Sequence, residues 1–139
     1  MTAYVDTSVL VAALTRETPT ARVQAWLELQ PAGSLLLSEW VVTEFSAALS
    51  VKVRTGDIDS HFRSATLARF NRLTFTALEI VPVAREHFRT AARFADHYAL
   101  RAGDALHLAV AADRSATLVA LDRRLAAAAS GLGFSAALI

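Results

Sequence analysis

The chain has 139 residues, of which 54% are apolar and 19% charged, with a net charge of +1 and no cysteine. A domain takes roughly 150 residues, so the length predicts one compact domain over 1–139, and the apolar content excludes a disordered chain. Without cysteine there is neither a disulfide framework nor a thiolate metal site, and the near-neutral charge excludes a strongly basic nucleic-acid binder. Lys52 is the only cation that is not Arg, and Arg suits bidentate phosphate contacts, although a coding bias toward Ala and Arg explains the same composition. No apolar run approaches the roughly 18 residues of a membrane span. Met1-Thr2-Ala3 leads straight into an apolar segment with no basic leader, so the expectation is a cytoplasmic protein without membrane contact.

Ala3-Tyr4-Val5 is short, apolar and β-prone, and Asp6-Thr7-Ser8 supplies capping residues for a helix through Val9 to Leu14. A second helix follows Pro19 over 20–29, with Val23, Trp26 and Leu27 at helical spacing, before Pro31-Ala32-Gly33 breaks the chain. Ser34-Leu35-Leu36-Leu37 reads as a buried strand, and Ser38 as the N-cap of a long helix to Val53 that Gly56 ends. From Asp57, the positions Ile58, Phe62, Thr66, Phe70 and Leu73 mark an amphipathic helix, followed by a strand over 78–81. Helices are predicted over 84–97 and from 102 through 110, then a strand over 117–121, a helix from Asp122 through Ala129, and a last strand at Phe134-Ser135-Ala136.

Short apolar strands alternating with helices predict an α/β fold, a parallel sheet with helices on both faces. Such sheets bind ligands beyond the carboxyl ends of their strands, near a topological switch point. Asp6 and Asp122 follow two of the strands, so both should project from one edge, and Glu44 and Asp104 ride on helices that open from the same edge.

Each acid also has a structural explanation. Asp6 and Asp122 suit N-caps, and Asp104 suits a first helical turn, where a negative charge meets the helix dipole. Glu44 lies among Val41, Val42 and Phe45, where a charge is costly unless paired or metal-bound, or else occupies one exposed helix position. Glu39 stands about 140° round the helix from Glu44 at ~100° per residue, and so belongs to a different face. His107, one turn beyond Asp104, orients a carboxylate or water, or is a hydrogen-bonded core residue. Gathering carboxylates raises their pKa and opposes folding, a penalty that a divalent cation removes. Oxygen donors without thiolate suit Mg²⁺ or Mn²⁺.

Taken together, Tyr4-Val5-Asp6-Thr7-Ser8-Val9-Leu10, Thr43-Glu44-Phe45, Asp104-Ala105-Leu106-His107-Leu108-Ala109 and Asp122-Arg123-Arg124-Leu125 resemble the PIN-domain nucleases, in particular the VapC-type toxins of toxin–antitoxin pairs. The resemblance spans the whole chain and rests on motif order and spacing. It implies an α/β/α sandwich and a metal-dependent endoribonuclease whose acidic site is Asp6, Glu44, Asp104 and Asp122. Asp6 and Asp104 would be the first metal ligands, and Ser8 matches the small polar residue the family often keeps beside the first Asp. From the residues themselves, Arg101, one turn before Asp104, suits either the scissile phosphate or neutralisation of the acid cluster, and His107 is the other supporting candidate. The resemblance further implies an RNA substrate, a homodimer, and a VapB-like antitoxin whose tail fills a groove leading to the site. The sequence departs from many relatives at Ala120, where Thr or Ser would support the last Asp with a hydroxyl.

Arg85, Arg89 and Arg93 form a basic stripe that suits an RNA backbone or a solvated face. Phe62, Phe70 and Leu73 suit either the antitoxin groove or the core. Two other readings stand beside the nuclease. A phosphatase of the haloacid-dehalogenase type needs a second Asp two residues after the first, where this chain has Ser8. A catalytically weakened PIN-like binding module would keep the fold and its partner contacts.

Overall fold

The structure, a computed structural model, describes residues 2–134 and 136–139. In chain order it runs β1 (Ala3–Val5), α1 (Thr7–Leu14), α2 (Thr20–Glu28), β2 (Leu35–Ser38), α3 (Glu39–Arg54) and α4 (Ser60–Thr76). It continues with β3 (Glu79–Val81), α5 (Arg85–Tyr98), α6 (Ala102–Asp113), β4 (Thr117–Ala120), α7 (Arg123–Gly131) and β5 (Ala136–Leu138). Among the described residues the sheet has five strands in the order β3-β2-β1-β4-β5. Every pairing is parallel.

The strands are too short to show a long alternation, yet the pleat still sorts their side chains. Tyr4, Leu36 and Leu118 face a core built with Ala91 of α5, Leu106 and Val110 of α6, and Leu125 of α7. Val5, Leu35, Leu37 and Val119 face a second core with Val9 of α1, Val23 of α2, Phe45 of α3 and Phe70 of α4. These two cores make an α/β/α sandwich. Phe70 is 2% exposed and stacks on Phe45 with ring centroids 4.3 Å apart, so it belongs to the core and not to an open groove. Leu73 packs partly buried against the same core, while Phe62 lies half-buried beneath the Arg16 guanidinium.

Several boundaries move relative to the sequence expectation. The helix expected from Asp57 begins at Ser60, because the Asp59 carboxylate accepts the Phe62 N–H at 2.7 Å and caps it there. Gly56, at φ +82, takes the left-handed turn that separates α3 from α4. Ser38 occupies the N-cap position of α3 but makes no capping bond, since its hydroxyl points to Tyr4. The last strand lies at Ala136–Leu138, later than expected, and Phe134 instead packs near Phe94. Ser135, assigned from sequence to that strand, lies outside the described residues, as does Met1. Among the described residues no helix is long and apolar enough to cross a membrane.

Strand order places the switch point between β1 and β4: from β1 the chain winds outward to β2 and β3, then returns to lay β4 on the other side. The Asp6 N–H, bonded to the Val119 carbonyl at 3.2 Å, stitches the two strand ends together there.

Candidate active site

Asp6 and Asp122 stand just past the carboxyl ends of β1 and β4, the two strands that flank the switch point. Glu44 comes from the second turn of α3, and Asp104 from the first turn of α6. All four carboxylates line one cleft of 280 Å³ together with Thr7, Ser8, Arg101, Gly103 and His107. Every residue singled out for the site from sequence is therefore in it. A larger depression of 540 Å³ contains Arg16, Glu17, Lys52, Asp57, Asp59 and Phe62 and lies apart from the four acids. Lys52 pairs with Glu17 at 2.9 Å, and Arg16 lies 5.6 Å over the Phe62 ring.

Asp6 is 4% exposed. One oxygen accepts the Ser8 hydroxyl at 2.7 Å and the Val9 N–H at 3.3 Å, so the capping role and the cleft-lining role coexist. Burial pushes its carboxyl above the usual range; Ser8, His107 and Val9 oppose this, and the Asp104 charge adds to it. Glu44 shifts the other way. Burial alone would raise it, but the His107 hydrogen bond, the Thr7 hydroxyl and Arg101 together hold it below the usual range. His107 Nε2 lies 2.5 Å and Thr7 Oγ1 2.8 Å from the same Glu44 oxygen.

Asp122 caps α7 through the Arg124 and Leu125 N–H groups at 2.8 and 3.3 Å. Ala120 is fully buried on β4, and the groups that hold Asp122 are the capping N–H groups and Arg101. Arg101 spans two acids, with Nε 3.3 Å from Asp104 Oδ2 and Nη2 3.4 Å from Asp122 Oδ2. It is 80% exposed, and exposed bridges contribute little. Arg101→Ala is accordingly expected to change the unfolding free energy by less than about 1 kcal/mol in a urea titration. A loss above about 2 kcal/mol would mean that Arg101 is what holds the acids together.

The donor set fits a hard divalent cation: oxygen ligands, no sulfur, from four elements onto one concave surface. Among the described residues, no three acidic or imidazole groups stand ready-made as a ligand shell. The side chains are turned to Ser8, Thr7, His107 and Arg101, and Arg101 holds one oxygen each of Asp104 and Asp122.

The PIN domain family model matches residues 3–131. This chain belongs to the PIN domain family. Its fold is shared with VapC20 of Mycobacterium tuberculosis, a Sarcin-Ricin loop cleaving toxin, at 19% identity over 96% of both chains with a TM-score of 0.72. FitAcB from Neisseria gonorrhoeae is similar at 20% identity over 96% of this chain and 95% of that one, TM-score 0.73. VapBC2 from Rickettsia felis, bound to a DNA fragment from its promoter, is similar at 16% identity, covering 99% and 98%, TM-score 0.66. No curated protein matches the sequence.

In this PIN domain the sequence reading passed over the residues behind Glu44. Tyr4 and Ser38 were assigned to a strand and to a cap, and Thr7 to a cap, yet all three belong to the network that grips Glu44 directly or through His107. Gly103 was passed over as well. A Cβ at that position would stand 2.8 Å from Glu44 Oε2 and 3.3 Å from Trp40 Nε1. The available signal was a glycine inside the first turn of a helix, where it costs stability unless something packs closely against it.

Proposed function

We propose that this PIN domain, taken as one unit over 1–139, is a metal-dependent endoribonuclease and the toxin of a VapBC-type pair. One observation carries the reading: Asp6, Glu44, Asp104 and Asp122 converge on a single cleft at the switch point of the sheet. Asp6 and Asp104 would be the first ligands of Mg²⁺ or Mn²⁺, with Glu44 and Asp122 completing the set. When bound, the ion supplies a more acidic water and charge neutralisation at the scissile phosphate.

The remaining work falls to the protein. Hydrolysis joins a water oxygen to phosphorus and breaks one P–O ester bond, so a group must orient the water and another must take its proton. Glu44, held below the ordinary carboxylate range, is the weaker proton acceptor and the better orienting group. Asp122, another partly exposed acid of the cleft, is the candidate to receive the proton and return it to the leaving oxygen. Arg101 is exposed and can leave its two acids for the phosphate of the substrate. The exposed Arg85, Arg89 and Arg93 on α5 suit contact with an RNA backbone.

The partner reading, a homodimer and a VapB-like antitoxin in the cytoplasm, rests on a surface beside the cleft. An apolar depression of 250 Å³ is lined by Trp40, Phe88, Ala92 and Leu106, and Phe88 is 54% exposed. An apolar surface of this kind suits a protein partner better than water. It takes the place of the Phe62, Phe70 and Leu73 stripe, whose Phe70 and Leu73 the core absorbs.

Incubating the purified protein with a structured RNA should give cleavage in Mn²⁺ that EDTA stops. The same ion at a hundred times its Kd should stabilise the fold by about 2.7 kcal/mol in a thermal melt. A melt unmoved by Mn²⁺, with intact RNA, would instead leave a binding module.

A further inference from the structure

Tyr4 is fully buried on β1, with its phenol oxygen 2.9 Å from Ser38 Oγ and 2.8 Å from His107 Nδ1. Burial pushes the phenol well above its ordinary range, so its proton stays on. A phenol has one proton to give and room to accept two.

At the far side of the imidazole ring the partner is a carboxylate, which only accepts. His107 Nε2, 2.5 Å from Glu44 Oε1, must therefore carry a proton. In a neutral ring with its proton on Nε2, Nδ1 is bare and must accept, and among the described residues the proton placed to reach it is that of Tyr4. Tyr4 having given its proton to His107, the Ser38 hydroxyl has to donate to Tyr4. The bonds thus run in one direction, from Ser38 to Tyr4 to His107 to Glu44. The Thr7 hydroxyl adds a second donor to the same Glu44 oxygen at 2.8 Å. With Oε1 taken by two donors, Oε2 is left facing Gly103 at the cleft wall.

We propose that Ser38, Tyr4 and His107 form a one-way hydrogen-bond relay that locks the Nε2–H tautomer of His107, so that Glu44 serves the cleft through Oε2 alone. Tyr4, Ser38 and His107 are positioning residues in this scheme, buried and acting through Glu44. A histidine that holds a ligand is commonly fixed by what its other nitrogen bonds to, and here that task falls to a phenol on the central strand. The consequence for activity rests on the nuclease reading; the tautomer itself does not.

The test uses the intact protein, free of RNA and metal, labelled with ¹⁵N at histidine. Long-range proton–nitrogen correlation spectra should show His107 Nδ1 as a bare nitrogen and Nε2 as a protonated one. In Tyr4→Phe, Nδ1 loses its donor, and a second set of ring signals should appear. RNA cleavage by that variant should lose about tenfold in kcat, the lower end of what losing such a supporting contact costs, with KM for RNA within about twofold. A protonated Nδ1 in the wild type overturns the relay, and that measurement does not depend on how any variant folds. A Tyr4→Phe protein with an unchanged ring spectrum overturns it as well. If the wild type shows the expected tautomer but cleaves no RNA, the nuclease reading fails and the relay stands.

Discussion

Replacing Asp6 with Asn is expected to abolish most RNA cleavage while making the metal-free protein more stable. The loss should be about a hundred- to thousandfold in kcat, the scale on which removing one group aimed at developing charge is felt. The fold should survive, because Asn is as good an N-cap as Asp and can still accept the Ser8 hydroxyl and the Val9 N–H. The gain in stability follows from the direction of the pKa shift. Burial and the neighbouring Asp104 raise the native Asp6 pKa above its ordinary 3.8, so the folded state binds the proton more tightly than the unfolded chain does. Wild-type stability therefore declines as pH rises from about 3.8 through the native pKa, and the deficit persists above it. Asp6→Asn lacks that decline. Its melting curve should lie above that of the wild type at neutral pH in EDTA, with the two converging as pH falls into the ordinary Asp range. Saturating Mn²⁺ should reverse the order by stabilising only the wild type. An Asn variant that melts lower in EDTA at neutral pH, or that still cleaves RNA, would remove Asp6 from the proposed role.

Gly103→Ala should damage both stability and activity without altering any charge. In an ordinary helix the substitution gains roughly 0.5–1 kcal/mol, because Gly is the poorer helix former. Here the new methyl would sit 2.8 Å from Glu44 Oε2. The end of a long side chain can usually swing aside. Glu44 cannot do so without giving up the Thr7 and His107 bonds to its other oxygen. Overpacking of this kind costs about 1–3 kcal/mol, which exceeds the helix gain. The expected result is a lower Tm and a ten- to hundredfold loss of single-turnover cleavage, on the scale of a lost supporting contact at a metal site. A Gly103→Ala protein with a raised Tm and full activity would show that Glu44 is free to move and that its close seat against α6 is not needed.

Both predictions depend on how an acid is held as much as on its presence. Asp6 and Asp122 were legible as helix starts because capping is local: a side-chain oxygen meets an N–H two or three residues along the chain. Asp59 does the same for α4, but Asp57 offers the same side chain two residues earlier, and the sequence does not choose between them. The convergence of Asp6 and Asp122 was legible too, since the alternation of short apolar strands with helices implies a parallel sheet and a common edge for strand ends. His107 could be read either as a core residue or as a partner of a carboxylate. It is both, being 2% exposed and bonded to Glu44. The Arg101 contact with Asp122 was not legible, because it forms only once α6 and α7 are placed. The Phe62, Phe70 and Leu73 stripe has the spacing of a groove and of a core alike, and only the Phe45 ring stacked on Phe70 decides for the core.

The sequence by itself determined the order of strands and helices, the caps that start α1 and α7, and the edge on which the acids gather. These follow from periodicity and from hydrogen bonds that close within a turn of chain. The tertiary structure alone decided which groups grip Glu44, why residue 103 has no side chain, and that Arg101 spans two acids. The Tyr4–His107 bond joins residues 103 positions apart, and the His107–Glu44 bond residues 63 apart. Contacts at that range depend on strand order, on which face of the pleat each side chain takes, and on where α3 and α6 pack, none of which a local pattern encodes.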